Sequence, residues 1–322
     1  MAFAGRAATV EPMTMSLRFR ESRHLRPRHY ALDGQIIAAP SLAPGLYLVA
    51  TPIGNLGDVT LRALATLAAA DVIACEDTRV SAKLLGRYGI TTPLTPYHEH
   101  NAASARPKLL ARLADGESVA LISDAGTPLV SDPGYKLVRA ARAAGALVTS
   151  LPGPSAVLAA LTASGLPTDR FFFEGFLPAK AGQRRSRIAE LSAIPATLVF
   201  FESAPRIGTT LADLAQALGA REAAVCREMT KLHEEVARGE LPALARDFAV
   251  EGRARGEIAI VIAPPQPQRE HRASDIDALL RDALDRLSVK EAVAEIAAVT
   301  GQPRRSVYQR ALILNKERQL AD

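Results

Sequence analysis

The sequence predicts an α/β protein with two α/β domains and a small helical segment at its carboxyl end. From Leu46 onward, apolar strand-like runs alternate with helix-like runs, the pattern of a mainly parallel sheet covered by helices. The pattern restarts near residue 166, and a Pro-rich stretch precedes the last amphipathic runs. We therefore predict domains at 45–165 and 166–263, a linker at 264–273 and a helical tail at 274–322.

Composition excludes several classes of protein. No stretch of the 322 residues approaches the roughly 20 apolar residues of a membrane span, so no membrane association is expected. The two cysteines, Cys75 and Cys226, lie in apolar runs and offer neither metal spacing nor a disulfide framework. We read them as buried small hydrophobic residues, which suits a reducing cytoplasm. No metal site is expected.

The amino-terminal 44 residues carry much of the positive charge. They hold six Arg against three acidic residues, whereas the whole chain has a formal charge of +5. Residues 1–44 show no sustained hydrophobic periodicity, and they lack the long apolar core that a secretory signal needs. We expect a disordered basic extension, with an arm that binds RNA phosphates as the alternative.

The first domain organises around a Gly-rich turn at 51–58, T-P-I-G-N-L-G-D, which follows the strand-like run 46–50. Thr60 is placed to cap the next helix. Three later strand-like runs also end in small, polar, Gly- or Pro-rich turns, which begin at Glu76, Ser123 and Leu151. Turns at the carboxyl ends of parallel strands share one edge of the sheet, so we expect them to converge on one small ligand.

The second domain and the tail carry candidate nucleic-acid contacts. Lys180, Arg184 and Arg185 lie on the helix that follows the apolar strand F-F-F-E-G-F, and they are candidates to bind RNA phosphates. In the tail, two helical patterns joined by Gly301-Gln302 predict a helix-turn-helix-like unit. Its second helix carries Arg304, Arg305 and Arg310, where a nucleic-acid reader would place them; a plain helical cap is equally compatible.

The ligand of the Gly-rich turns is constrained by what the sequence lacks. It contains neither the G-x-x-x-x-G-K-[ST] loop that grips triphosphates nor the G-x-G-x-x-G fingerprint of dinucleotide sites. A ligand with less negative charge is therefore favoured. S-adenosylmethionine is one such ligand, since its amino-acid end needs backbone donors and acceptors, and its adenine an apolar slot.

Eight long motifs, spread over roughly residues 45–263, are similar in sequence, order and spacing to the motifs of one protein family. They are T-P-I-G-N-L-G-D, E-D-T-R, Y-H-E-H-N, S-D-A-G-T-P-L-V-S-D-P-G-Y, L-P-G-P-S-A, G-L-P-T-D-R-F-F-F-E-G-F-L-P-A-K, F-E-S-A-P-R and R-E-M-T-K-L-H-E-E. The set closely resembles the ribosomal RNA small subunit methyltransferase I family, which belongs to the tetrapyrrole (precorrin-type) methylase superfamily. The helical tail is similar to that family's carboxyl-terminal segment.

The resemblance implies a specific activity. Members use S-adenosylmethionine to methylate the ribose 2′-hydroxyl of a cytidine in the decoding region of 16S rRNA, in the 30S ribosomal subunit. They form homodimers, and the cofactor lies in the cleft between the two α/β domains. The matched cofactor-binding positions are Pro52, Gly54, Gly126, Thr127, Pro128, Ser155 and Ala156, with Phe201, Met229 and Thr230 closing the pocket from the second domain. Thr127 stands where tetrapyrrole-methylating relatives often carry Asp, which suits an RNA-modifying member.

Methylation of a hydroxyl also needs a group that accepts its proton. Glu76 and Asp77 are our catalytic candidates because they end a central strand, although Asp77 and Arg79 are also placed to form a local ion pair. His98, His100, Glu202 and Glu228 are further candidates on polar turns. Two other functions stay open: a tetrapyrrole methylase of the same fold, and a cofactor-sensing RNA-binding module without catalysis.

Overall fold

A computed structural model describes residues 28–250, 255–265 and 273–319. The chain divides into two compact units. Among the described residues, the first unit contains those up to Ala159 together with Glu228–Glu234, and the second contains Ala160–Arg227 and those from Glu235 onward. This division falls inside a helix, a few residues before the domain boundary that we predicted at 165.

The first unit is built on a five-stranded sheet. Its elements are β1 (His29–Leu32), β2 (Gln35–Ala38), β3 (Gly45–Val49), α1 (Leu61–Ala69), β4 (Val72–Cys75), α2 (Thr78–Arg87), β5 (Leu94–Pro96), α3 (Ala102–Ala114), β6 (Ser118–Leu121), α4 (Tyr135–Ala143) and β7 (Val148–Leu151). The helix α5 (Ala156–Ser164) follows. The strand order is β5-β4-β6-β3-β7, and every pairing in the sheet is parallel. The parallel sheet is confirmed; its short edge strand β5 was not predicted.

Burial explains why these strands read as continuous apolar runs. All four residues of β4 and of β6 are buried, as expected for parallel strands covered on both faces. One core cluster, which includes Leu64 and Ile73, packs α1 and α2 on one face. A second cluster, which includes Leu109 and Leu137, packs α3 and α4 on the other. Cys75 belongs to the first cluster and is fully buried, as the sequence predicted.

The expectation of disorder up to residue 44 is wrong for residues 28–44. Strands β1 and β2 pair as an antiparallel hairpin, and Tyr30 is only 6% exposed within the core cluster of the first unit. Arg28 donates to Asp71 at 2.7 Å, and the Ala31 N–H donates to the Tyr88 carbonyl at 2.7 Å. Each strand of the hairpin has only four residues, but most of them are apolar and the turn between them is Asp33-Gly34, so the sequence did contain a hairpin signal. Residues 1–27 lie outside the described part of the chain.

The second unit has a mixed sheet. Its elements are β8 (Phe171–Phe176), α6 (Ala181–Leu191), β9 (Thr197–Ser203), α7 (Ile207–Leu218), β10 (Glu222–Arg227), β11 (Glu235–Glu240), α8 (Leu241–Phe248) and β12 (Glu257–Ile262). The order is β11-β10-β12-β9-β8, in which only β8 and β9 run parallel. Strand β11 begins at the last residue of the stretch R-E-M-T-K-L-H-E-E and was not predicted.

The tail folds as three helices: α9 (Ala273–Arg286), α10 (Val289–Thr300) and α11 (Arg304–Gln319). They share a small core that includes Leu280, Ile296 and Leu314. Ser288 caps α10 in a reciprocal capping box with Glu291, and Gly301 ends it in the left-handed conformation. These signals made the helices readable from sequence. Of the predicted linker, residues 266–272 lie outside the described residues.

Candidate functional site

Backbone pairing joins the turns after β3 and β6. The Thr51 N–H donates to the Gly126 carbonyl and the Gly126 N–H donates to the Thr51 carbonyl, both at 2.9 Å. The Thr51 hydroxyl donates to the Ser123 carbonyl at 3.2 Å, and Thr51 is 2% exposed. Two turns that are far apart in sequence therefore form one structure at the carboxyl edge of the sheet.

The turn after β7 is attached to the same structure. The Thr127 hydroxyl donates to the Pro154 carbonyl at 3.1 Å. Gly153 lies so close to β3 that a Cβ there would be 2.9 Å from the Ala50 Cβ, and Gly126 has a φ of +83°. The three turns thus converge, as predicted, and small residues let their backbones approach one another and a ligand.

Several predicted cofactor-binding residues lie in these joined turns. Pro52 and Pro128 are buried, whereas Gly54 is exposed at the tip of the first turn. Ser155 directly precedes α5, and its hydroxyl accepts from the Leu158 N–H at 3.5 Å; Ala156 is the first residue of that helix. Asn55 shapes the first turn, since its side chain accepts from the Gly57 N–H at 3.0 Å.

Met229 and Thr230 lie in a different unit from the one that we expected. We predicted that they close the pocket from the second domain, but Glu228–Glu234 belongs to the first unit. The Asn55 N–H donates to the Thr230 hydroxyl at 3.2 Å, so this segment lies on the first turn. Phe201 stays in the second unit on β9, where its ring makes edge contacts with Phe173 at 4.9 Å and Phe176 at 5.7 Å.

Of the two catalytic candidates, Asp77 is engaged in local structure. Its carboxylate accepts from the Arg79 N–H at 2.8 Å to cap α2, and it pairs with the Arg79 guanidinium at 2.7 Å. These bonds lower the pKa of Asp77 to about 2. A carboxylate with so low a pKa is a weak base, so Asp77 is poorly suited to accept a proton.

Glu76 is in a different electrostatic environment. Burial raises its pKa, and the nearby negative charge of Asp124 raises it further. Asp132, in the turn after β6, has its pKa raised to about 6 by burial and then by the charge of Glu76. The structure therefore brings Glu76 and Asp132 together. Sequence reasoning missed Asp132, for which the only signal was an acid within the S-D-P-G stretch.

The candidate RNA contacts in the second unit separate into two groups. Lys180 and Arg185 are exposed at the start of α6 and on its surface. The structure does not support Arg184 as an RNA contact. It is 6% exposed, and its guanidinium pairs with Asp213 at 2.7 Å. A buried, paired guanidinium stabilises the packing of α6 on α7 and presents no surface to a phosphate.

The tail shows the same separation. Arg304 and Arg305 are exposed in the first turn of α11. Arg310 instead donates to Asp277 on α9 at 2.6 Å, so it links two helices of the tail. Arg310 is therefore a structural residue, and Arg304 and Arg305 remain the candidates for contact with nucleic acid.

The described residues contain neither a metal-binding cluster nor a membrane-spanning helix. Within 28–250, 255–265 and 273–319, no group of three or more His, Cys, Asp or Glu side chains is arranged to hold a metal ion. No helix in that part of the chain has the length and apolar character needed to cross a bilayer.

Comparison with known proteins identifies the family. Residues 45–245 match the family described as Tetrapyrrole (Corrin/Porphyrin) Methylases, and residues 270–315 match the RsmI C-terminal HTH domain. The cobalt precorrin-4 methyltransferase structure has a TM-score of 0.52 at 17% identity, covering 68% of this chain and 94% of that one. A diphthine synthase structure has a TM-score of 0.54 at 16% identity, covering 68% and 89%. At such identities these structures show a shared fold.

Relatives in sequence are more specific. A protein of Mesorhizobium japonicum named ribosomal RNA small subunit methyltransferase I is 55% identical over 279 residues, covering 86% of this chain and 95% of its own. The protein of that name from Escherichia coli O157:H7 is 44% identical over 271 residues, covering 83% and 94%. The chain therefore belongs to the ribosomal RNA small subunit methyltransferase I family of tetrapyrrole-methylase-fold proteins and is an rRNA methyltransferase whose cofactor is S-adenosylmethionine.

Proposed function

We propose that this protein methylates the ribose 2′-hydroxyl of a cytidine in the decoding region of 16S rRNA, acting on the 30S subunit in the cytoplasm as a homodimer. The observation that carries the proposal is the joined set of turns at the edge of the first sheet. There the backbones of Thr51 and Gly126 pair, and the turn that contains Gly126 also carries Asp132, whose carboxylate lies near that of Glu76. The relatives named for methylation of small-subunit rRNA support the choice of RNA as substrate.

The joined turns fit the cofactor. Gly54 is exposed, so its backbone is accessible to the amino-acid end of a ligand. Gly126 is buried and has a left-handed φ, and its backbone pairs with Thr51 to hold the turns together. We propose that Pro52, Gly54, Gly126, Thr127 and Pro128 hold the cofactor, with Ser155 and Ala156 at the start of α5. Phe201, Met229 and Thr230 are proposed as further contacts. When bound, S-adenosylmethionine supplies a methyl group that its sulfonium charge has already activated, so positioning provides much of the rate.

The protein must also take up a proton. A ribose hydroxyl becomes a good nucleophile only as its proton passes to a base within about 2.6–3.2 Å. We assign this role to Glu76 rather than to Asp77, because Glu76 has a raised pKa and is not engaged by Arg79. The proton moves to the Glu76 carboxylate while the O2′–methyl bond forms and the methyl–sulfur bond breaks.

Transfer of a labelled methyl group from S-adenosylmethionine to 30S subunits tests the proposal, followed by mass-spectrometric mapping of the modified nucleotide. We expect the label on one cytidine ribose. Methylation of a uroporphyrinogen but not of 30S subunits would favour the tetrapyrrole methylase, and RNA binding without transfer would favour the non-catalytic module.

A matched set of variants tests the base. Glu76→Gln should reduce the rate constant by about 10²- to 10⁴-fold at saturating cofactor, the range typical of a lost general base. Asp77→Asn should act mainly through the stability of α2, because Asp77 caps that helix. Glu99→Gln removes an exposed carboxylate from a neighbouring loop and should have no effect on the rate. Near-wild-type methylation by Glu76→Gln would exclude Glu76 as the base.

A further inference from the structure

A lysine distant in sequence lies directly against the first Gly-rich turn. A Cβ on Gly54 would be 2.5 Å from the Lys231 Cγ and 2.9 Å from its Cε, so Gly54 is required for Lys231 to lie there. The bond from the Asn55 N–H to the Thr230 hydroxyl fixes the same segment on the turn. The fold therefore supplies to this turn a cation that its own sequence lacks.

The ammonium of Lys231 is held by a carboxylate. Its Nζ lies 2.8 Å from the Oε1 of Glu228, and the two side chains are 28% and 20% exposed. Both are thus partly withdrawn from solvent but still accessible. The segment also carries backbone strain, since Glu228 has a φ of +51° and Thr230 a φ of +66°. Strained non-glycine residues of this kind concentrate at functional sites.

The charges of this pair restrict what it can bind. An ammonium and a carboxylate together have no net charge, so a phosphate or carboxylate ligand would be attracted by Lys231 and repelled by Glu228. A hydroxyl group is a better match, because it accepts a hydrogen bond from the ammonium and donates one to the carboxylate. The ribose 2′-hydroxyl is also the group by which a protein distinguishes RNA from DNA.

We propose that Lys231 and Glu228 form a ribose-hydroxyl-binding pair at the first turn. The inference rests on the proposed function, in which the first turn holds the cofactor and Glu76 accepts the proton of the target ribose at the same edge of the sheet. Two ribose groups meet there: that of the target nucleotide and that of the adenosine of the cofactor. The pair contacts one of them and fixes its orientation relative to the turn.

The RNA arm of the test measures binding to 30S subunits reconstituted with 16S rRNA that carries either cytidine or 2′-deoxycytidine at the methylated position. Lys231→Met retains an unbranched stem over Gly54 but removes the ammonium. If the pair binds the target ribose, the wild type binds the ribose form about 10- to 100-fold more tightly, the value of a hydrogen bond to a charged group. Lys231→Met should lose that preference.

The cofactor arm compares calorimetric affinities for S-adenosylhomocysteine and for its analogues that lack one ribose hydroxyl. If the pair binds the ribose of the cofactor, the wild type binds S-adenosylhomocysteine more tightly than the analogue that lacks the contacted hydroxyl, and Lys231→Met binds the two equally. Loss of discrimination in either arm supports the proposal and identifies the source of the ribose. If Lys231→Met keeps the wild-type preferences in both arms, the proposal is overturned.

Two further variants show whether an effect of Lys231→Met comes from loss of the ammonium or from a change in folding. Leu232→Ala changes a neighbouring side chain that is 93% exposed, and it should behave as the wild type in both arms. If Lys231→Met does not fold, Glu228→Gln, which removes only the carboxylate charge, decides the question by the same comparison. A wild type that fails to bind 30S subunits would refute the proposed function, whereas the cofactor arm would still test the pair.

Discussion

The backbone N–H of Asp77 donates a hydrogen bond to the Oδ1 of Asp124, 3.0 Å away. This bond ties the end of β4 to the end of β6, two neighbouring strands whose turns both face the carboxyl edge of the first sheet. It places the negative charge of Asp124 near Glu76, whose pKa that charge raises. The hydrogen bond that holds Asp124 at this edge therefore also contributes to the raised pKa of Glu76.

Asp132 makes stability depend on pH in a direction opposite to that of most carboxylates. Its pKa is raised to about 6 from an ordinary 3.8, so the folded state binds the proton more tightly than the unfolded state. The favourable contribution is present below the unfolded pKa and is lost as pH rises through about 6. Asp132→Asn removes this dependence and should stabilise the protein by about 1 kcal/mol at neutral pH, once solvent screening is allowed for.

Urea denaturation of the wild type and Asp132→Asn at several values between pH 4 and pH 8 measures this effect. The difference in unfolding free energy should shift in favour of the variant as pH increases. A difference that stays constant would mean that Asp132 has an ordinary pKa. Asp115→Asn, which changes an exposed acid beyond the end of α3, is a suitable control.

Arg184 and Arg185 are adjacent in sequence but should respond differently to mutation. Arg184→Met leaves Asp213 without its buried partner, which should lower the free energy of unfolding by about 3 kcal/mol. Arg185→Ala removes an exposed side chain and should change stability by less than about 0.5 kcal/mol. Only Arg185→Ala should weaken RNA binding in protein that remains fully folded.

Chemical denaturation and RNA binding at one salt concentration distinguish the two residues. If Arg184→Met were as stable as the wild type but deficient in RNA binding, Arg184 would be a phosphate contact, as its sequence pattern first suggested. The Asp213→Asn variant should reproduce the instability of Arg184→Met, because it breaks the same pair from the other side.

The parts of the fold that could be predicted are those with local signals. The apolar runs of β3, β4 and β6 are buried on both faces, so they appear as uninterrupted apolar residues in the sequence. The glycines of the first turn also made that turn recognisable in the sequence. By contrast, the contact of Lys231 with Gly54 and the ion pair of Arg184 with Asp213 join distant segments, and a residue's local pattern contains no information about its partner.

Charge was the least reliable guide for the same reason. Arg184, Arg185 and Arg187 form one basic run, yet Arg184 pairs with Asp213, and Arg187 pairs with Glu174 at 2.7 Å. Asp77 and Glu76 are neighbours, yet one is engaged by Arg79 and the other is not. Only a three-dimensional structure shows which charges are neutralised within the fold.

Tyr30 should anchor the amino-terminal hairpin to the first unit. It is 6% exposed within the core cluster, so Tyr30→Ala should lower the free energy of unfolding by about 3 kcal/mol, the cost of truncating a buried aromatic residue. Ile36→Ala, on the other strand of the same hairpin, removes a side chain that is 75% exposed and should have little effect. Equal stability of the two variants would mean that the hairpin is not part of the folded core.

Arg305 and Arg310 should separate RNA contact from structure within the tail. Arg305 is exposed on α11, whereas Arg310 is bonded to Asp277, whose pKa it lowers. If Arg305 contacts a phosphate, Arg305→Ala weakens binding to 30S subunits and lowers the slope of log K against log salt concentration by about 0.7–0.9, the value for one released counterion. The melting temperature should not change.

Arg310→Ala should show the reverse behaviour, because it removes the link between α11 and α9. We expect a lower melting temperature and, at temperatures where the tail is folded, an unchanged salt slope. Binding titrations at four salt concentrations, together with thermal melts followed by circular dichroism, measure both quantities. If the two variants lower the slope equally, Arg310 is released from Asp277 on binding and both residues contact RNA; if neither does, RNA binds elsewhere on the protein.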